Sequence, residues 1–367
     1  MNLPDVDFIS LDGSDIEREI FSYYEKITGR KLYPGNPERL FLEAVVYVIA
    51  LQRWHIDHSA KQNLLAYAQG EFLDHLGALL GVYRLQAQPS RVLLRFYIEP
   101  QHFDVIIPNR TRIACNKVYF ATEKEATIKA DEAYVDVYAT CLETGSVGNG
   151  FIPGQINTLV DPVAYVKKVE NITTSFGGSD VESDEHLRER IRLAPESFSN
   201  AGSRGAYIFH TKSAHPEIAD VAVYSPDPGR VKVLFILNQG KIPDASMVDK
   251  VKEYLNDEKI RPLTDTVEVS PPVEVGYDID LKYYVHKEDA SLVRQIQSRV
   301  EQAVSEYILW QKSKIGRDIL PEELIKKIKE AKAYRVNVIQ PEYRQLSIEA
   351  LAVANTVNIV YGGVVDD

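Results

Sequence analysis

Cysteine is nearly absent from this chain: Cys115 and Cys141 are the only two in 367 residues, and they form no close pair. That excludes a zinc ribbon, a CxxC redox motif and a disulfide framework, and it fits a reducing compartment. Long apolar runs are also missing. The longest, AVVYVIAL at 44–51, falls far short of the ~20 residues a membrane-spanning helix needs. The opening residues, MNLPDVDF, are acidic where a secretory signal would be basic and then apolar. There is no low-complexity tract, no P-loop lysine, and no Lys/Arg cluster clear of acidic neighbours. The densest basic stretch, KKIKEAKAYR at 326–335, has helical spacing and reads as a solvated face. With 53 acidic and 42 basic residues the net charge is −11, whereas a duplex-binding protein carries a basic stripe. These absences point to a soluble cytoplasmic product, with nucleic acid disfavoured as a partner and no membrane insertion.

What is present is enough for several cores. Hydrophobic residues make up 45% of the chain and aromatics 10%, and at ~100–200 residues per domain the length allows two to four domains. Residues 1–86 read as helix. Ser14 and Glu17 have capping-box spacing, and Gly29 stops the helix they open. Asn36 and Pro37 supply an N-cap and a first helical residue. From Glu38 to Gln69 no Gly or Pro interrupts; helical throughout, this rod would be ~48 Å long. Leu42, Val45 and Ile49 line one of its faces and Phe41, Val48 and Leu51 another, so its first half is apolar nearly all round. Such a helix must be covered on several sides. A third helix, at 70–82, sets Phe72, Leu73, Leu76, Leu79 and Leu80 on one side. Three helices of this size cover one another only partly, which leaves burial by a partner open.

From about residue 90 to 175 the apolar period is two. Val92, Leu94, Phe96 and Ile98 alternate with Leu93, Arg95 and Tyr97, and turn signals recur at Pro108-Asn109, Asn149-Gly150 and Pro153-Gly154. After Gly177-Gly178, helices and strands mix. Ser183 caps a helix with acids in its first turn and arginines later, and DVAVYS and RVKVLFIL flank the turn PDPG. Pro271-Pro272 marks a boundary. Beyond it Tyr277, Ile279, Leu281, Tyr283 and Val285 alternate, and Ile296, Val300 and Val304 have helical spacing. The fold class is therefore multidomain α+β. A helical bundle region spans 1–86, a small all-β domain 87–176, and two α+β units 177–271 and 272–367.

Candidate chemistry is thin. His55 and His58 stand three apart on one helix, without further ligands or the glutamate of an HExxH pair; a polar helix surface or an interface is the default. Asp180, Glu182 and Asp184 imitate a calcium loop, but Glu185 and Ile191 stand where Gly and Glu are required. AGSRG at 201–205 has Ala201 where a nucleophile elbow needs glycine. Catalytic, cofactor and metal sites are accordingly set at none, and no element joins a nucleophile, a base and an oxyanion donor. Two stretches carry interaction readings instead. Phe41, Leu42, Val45, Val48, Ile49 and Leu51 form a candidate protein interface. Gly177, Gly178, Asp180 and Ser183 form a candidate joint, at which Gly178→Val is expected to impair assembly more than folding.

The segment GGSDVESDEHLRERI at 177–191 resembles the GG-x-D-x-ES-D-x-x-LR-x-RI signature of baseplate J-like proteins, wedge components of contractile phage tails and related particles. The likeness continues through 199–237, RPLTDTVEV at 261–269, GEFLDHLGALLGVYR at 70–84 and VENITTSFGG at 169–178. The resemblance implies a structural, non-enzymatic protein in a tail or tail-like baseplate, assembled in a bacterial cytoplasm. It implies two copies per wedge joined to a second wedge protein. It also implies a shared N-terminal bundle meeting the sheath initiator and hub, C-terminal domains that close a ring, and a change of diameter when the tail fires. The alternative weighed beside it is a tail-associated cell-wall hydrolase.

Overall fold

The computed structural model describes residues 4–198, 202–258 and 260–366. Part of the 199–237 match and the Ala201 position of the elbow-like stretch lie outside them. The chain divides into two units, residues 1–84 with 187–192 and residues 85–186 with 193–367.

The first unit is helical. α1 (Gly13–Thr28) is capped not by Ser14 but by Asp12, whose carboxylate accepts the Ser14 N–H at 2.8 Å and the Ser14 hydroxyl at 2.7 Å. An acid two residues upstream reaches the orphan amide first. α2 (Pro37–Lys61) ends well before Gln69. The Asn63 amide turns back to the Ser59 and Ala60 carbonyls, and Gln62 Oε1 accepts the Gln69 N–H at 3.0 Å. Such side-chain bonds offer the backbone an alternative to helix. α3 (Gly70–Ala78) stops short of the expected residue 82; it buries Leu73 and leaves Phe72 exposed, and Leu79 and Leu80 are exposed just beyond its end. α4 (Asp184–Leu193) contributes its middle turns, with Leu187 and Ile191 buried. From it Arg188 donates to the Leu65 and Ala68 carbonyls at 2.8 and 2.7 Å, and Arg190 donates to that of Tyr83. Arg84 pairs with Asp74 at 2.7 Å.

The second unit opens with β1 (Pro89–Ile98), β2 (Val105–Ile107), β3 (Arg112–Cys115), β4 (Val118–Thr122), β5 (Ala126–Ile128), β6 (Tyr134–Thr144), β7 (Thr158–Leu159) and β8 (Val166–Asn171). Six of these form a nearly closed antiparallel barrel-like sheet in the order β7-β3-β4-β6-β1-β8, and β2 pairs with β5. The alternating residues Val92, Leu94, Phe96 and Ile98 fall inside the core with Phe120, Val137 and Ile156. The opposite face of β1 is polar: Arg95 makes two bonds to Asp136, at 2.7 and 2.8 Å.

Next come α5 (Arg204–Ala214), β9 (Ile218–Tyr224), β10 (Arg230–Leu237), α6 (Ala245–Leu255) and β11 (Thr266–Ser270). β10 is central, antiparallel to β9 across PDPG and parallel to β11. Its run Val233–Ile236 does not alternate because both faces are buried. Val233 and Phe235 meet the helices' core, while Leu234 and Ile236 meet Ile315 and Leu351. The chain then forms β12 (Val273–His286), α7 (Val293–Lys312), α8 (Pro321–Glu330), β13 (Arg335–Gln340) and β14 (Ala350–Val365), a sheet of order β13-β12-β14. Tyr277, Ile279, Leu281, Tyr283 and Val285 form one core with Ile296, Val300, Val304, Tyr307, Leu324 and Ile328. No described helix is long and apolar enough to cross a membrane.

Candidate interaction surface and joint

Sequence and packing disagree most along α2. Asp57 is the one buried residue in its 25, although the helix is rich in Val, Ile and Leu. Phe41 is 70% exposed, Val48 52% and Leu51 45%, while Leu42, Val45 and Ile49 are half-buried. The sequence-selected residues thus divide between two faces. Leu42 and Ile49 line an open groove of about 660 Å³ between α1 and α2, with Ile20, Tyr23 and Ile27 opposite. Phe41, Val48 and Leu51 face outward with Tyr47 and Trp54, both exposed. Exposed apolar side chains in this number make α2 a candidate interface. Around the groove Arg39 pairs with Glu17 and Glu43, and Arg53 with Glu19.

Asp57 carried no signal in the sequence. Its carboxylate pairs with Lys61 at 2.7 Å and accepts the Phe8 N–H at 2.9 Å, tying the N-terminal stretch to α2. Those two bonds, Lys61 first, hold its carboxyl below the ordinary carboxylate range. His55 and His58 flank Trp54, with ring centroids at 5.1 and 5.2 Å. Among the described residues no group of three or more His, Cys, Asp or Glu is placed to hold a metal.

Gly177 and Gly178 have different roles. Gly177 has φ +81° with open space where a Cβ would sit, so backbone conformation calls for glycine there. At Gly178 space calls for it: a Cβ would stand 2.4 Å from the Gly145 carbonyl oxygen and 3.1 Å from Ser90 Cβ. Asn149 clasps this residue from both sides, accepting its N–H at 2.9 Å and donating to its carbonyl at 2.7 Å. Asp180 accepts the Ser146 N–H at 3.0 Å and its hydroxyl at 3.1 Å. Ser183 Oγ accepts the His186 N–H at the start of α4. Two of the four joint residues, Gly178 and Asp180, are therefore gathered against the 145–149 turn. The Asn149-Gly150 pair reads as a turn signal in sequence, but its reach to Gly178 does not.

Other residues of the 169–191 and 199–269 stretches also serve the scaffold. Asn171 Oδ1 accepts the Ile156 N–H, and its amide donates to the Phe151, Ile152 and Thr173 carbonyls. The Tyr207 hydroxyl donates to Asp265 at 2.8 Å. Glu182, far from any calcium-loop role, is buried and lies 2.5 Å from His186 Nδ1, while its other oxygen accepts the Leu85 N–H.

His215 is fully buried, and burial together with the Lys250 ammonium pushes its imidazole down to about 4. The unfolded chain takes up this proton near the ordinary value of 6.5. The stability that neutral His215 provides is whole above 6.5 and is lost as pH falls through that window towards 4. Between pH 7 and 4.5 the wild-type chain is expected to lose on the order of 2 kcal/mol more than His215→Asn, read from urea midpoints. Equal losses in the two proteins would refute this.

Family models match in sequence order: the baseplate J-like N-terminal domain at 36–91, the baseplate J-like protein barrel domain at 93–178, the central domain at 199–271 and the C-terminal domain at 277–360. Baseplate protein J of Escherichia phage P2 is 34% identical over 140 residues, which are 38% of this chain and 45% of the relative. The match thus spans under half of that relative's length. Among solved structures, a chain of the anti-feeding prophage baseplate superposes with a TM-score of 0.46 at 11% identity, covering 93% of this chain and 90% of that one.

Proposed function

This chain belongs to the baseplate J-like family, and from that premise we propose that it is a structural component of the baseplate of a contractile tail or tail-like particle. In this reading it is a wedge protein. Two copies join a second wedge protein through their N-terminal helices, the wedges close a ring around the hub and sheath initiator, and the ring passes on the shape change that triggers sheath contraction.

The observation that carries the reading is α2, an apolar helix of 25 residues with a single buried side chain, and that one an aspartate. Each Leu, Val or Phe moved out of water contributes about 1.5–3 kcal/mol, so a partner helix laid along Phe41, Val48 and Leu51 has ample driving force. Helices sharing such faces pack as a bundle. The residues that carry the family likeness support a non-enzymatic role, because those with traced partners close backbone carbonyls, pin turns or join elements: Arg188, Asn171, Tyr207 and Asp180.

The test is to express the chain with the other tail proteins of its particle. Defined hetero-oligomers with one further tail protein, and immunogold label at the end of the assembled tail, are expected. Complete baseplates formed without the chain would overturn the proposal. So would release of peptidoglycan fragments by the isolated chain, which would favour the hydrolase.

A further inference from the structure

Asn149-Gly150 is the one Asn-Gly pair in the sequence, and such a pair is chemically fragile. Glycine has no Cβ to shield its backbone nitrogen, so that nitrogen closes a succinimide ring onto the preceding side-chain amide more readily than any other residue's. In this step the Gly150 nitrogen gives up its proton and bonds to Asn149 Cγ. The Cγ–Nδ2 bond breaks, and Nδ2 leaves as ammonia with that proton. A solvent water then opens the ring to aspartate or isoaspartate. No oxidant or reductant takes part. Gly150 is exposed and Asn149 half-buried, so water reaches the pair.

The fold holds the reacting groups apart. The Gly150 N–H, the nucleophile, donates instead to the Ser175 carbonyl at 2.9 Å. Ser175 is itself buried and fixed, its hydroxyl accepting the Phe151 N–H at 3.0 Å and its own N–H donating to the Phe151 carbonyl at 3.1 Å. The amide under attack is engaged at both ends by Gly178, at 2.9 and 2.7 Å. The backbone of Asn149 is extended, with φ −84° and ψ 155°. Ring closure brings the Gly150 nitrogen into line with the Asn149 Cβ, and this ψ keeps it well out of line. Three hydrogen bonds and one backbone torsion must therefore change together before the ring can form.

We propose that Asn149-Gly150 is a latent deamidation site sealed by the clasp on Gly178, and that its conversion after the joint opens keeps the joint from closing again. Gly178 presents both an N–H and a carbonyl to Asn149, and only an amide matches both. An aspartate still offers an oxygen to the N–H. Its second oxygen, however, meets the Gly178 carbonyl, two acceptors with no proton between them. It also adds negative charge to a turn that already holds Asp180 on Ser146. An isoaspartate lengthens the backbone by one carbon and displaces the clasp altogether. Opening of the joint thus becomes a one-way covalent change. The site goes beyond the baseplate reading and stands without it.

The experiment incubates the full chain at mildly alkaline pH, folded and in denaturing urea, and follows the peptide containing residues 149–150 by mass spectrometry. Conversion of the amide to the acid is expected at least about tenfold more slowly in the folded chain, since three hydrogen bonds must open first. Gly178→Ala, whose Cβ would stand 2.4 Å from the Gly145 carbonyl oxygen, displaces the clasp while leaving the reacting pair intact. Folded by circular dichroism, it is expected to deamidate faster than the folded wild type. Should it unfold, the wild-type comparison decides alone. Asn149→Asp is expected to lower the urea midpoint. Equal rates for folded and unfolded wild type, or no conversion at Asn149 in urea, overturn the proposal. A folded Gly178→Ala chain as slow as wild type removes the clasp as the seal, and an unchanged Asn149→Asp midpoint removes the one-way consequence.

Discussion

Val48→Asp is expected to leave the isolated chain folded while abolishing the union proposed for it with a second wedge protein. Val48 is half-exposed in the free chain, so the aspartate sits largely in water there and costs well under ~1 kcal/mol, chiefly through its lower helix propensity. Once a partner helix covers that face, the carboxylate is buried with no cation built to meet it, a penalty of about 3–5 kcal/mol. At ~1.4 kcal/mol per tenfold, that is a loss of at least about a hundredfold in affinity. The barrel-like sheet and the two α+β sheets have cores of their own and are not expected to respond. Size-exclusion chromatography of the variant with its partner, beside circular dichroism of the variant alone, separates the two effects. Elution with the partner at wild-type yield would remove α2 from the interface.

Gly178→Val carries the second large effect, and the structure changes what is expected of it. From the sequence, two adjacent glycines read as a backbone joint whose alteration harms assembly. In the structure only Gly177 has a positive φ, while Gly178 leaves no room for a side chain beside the Gly145 carbonyl and Ser90. A valine there must push the 145–149 turn away and break the two bonds to Asn149. Overpacking plus lost hydrogen bonds cost about 2–4 kcal/mol, so the loss falls on folding of the β region itself. Gly177→Ala meets open space and is expected to cost only the ~1 kcal/mol of a left-handed alanine. Urea unfolding of both variants checks the order, and equal midpoints would refute the distinction between space and conformation.

Much of the scaffold was legible because side-chain period reports which face of an element is dry. The alternation of β1 and β12 and the helical spacing of α7 each correspond to one buried face. PDPG marked the β9–β10 turn for a local reason, since its geometry lies within a few residues. The motifs at 70–84, 169–191 and 261–269 carried the family, because their spacing is itself a record of backbone turns. Period does not say what covers a face. The same apolar pattern that buries Ile296 and Val300 in α7 leaves Phe41 and Val48 in solvent on α2, and only the packing distinguishes them. Helix ends shifted for a similar reason: Asp12 displaced Ser14 as cap, and Asn63 and Gln62 closed α2 early. Tertiary structure alone brought Asn149 to Gly178, Arg188 to the Leu65 carbonyl and Asp57 to Phe8, separations of 29, 123 and 49 residues. Hydrogen bonds over such distances depend on where whole elements come to rest, and no local propensity encodes that.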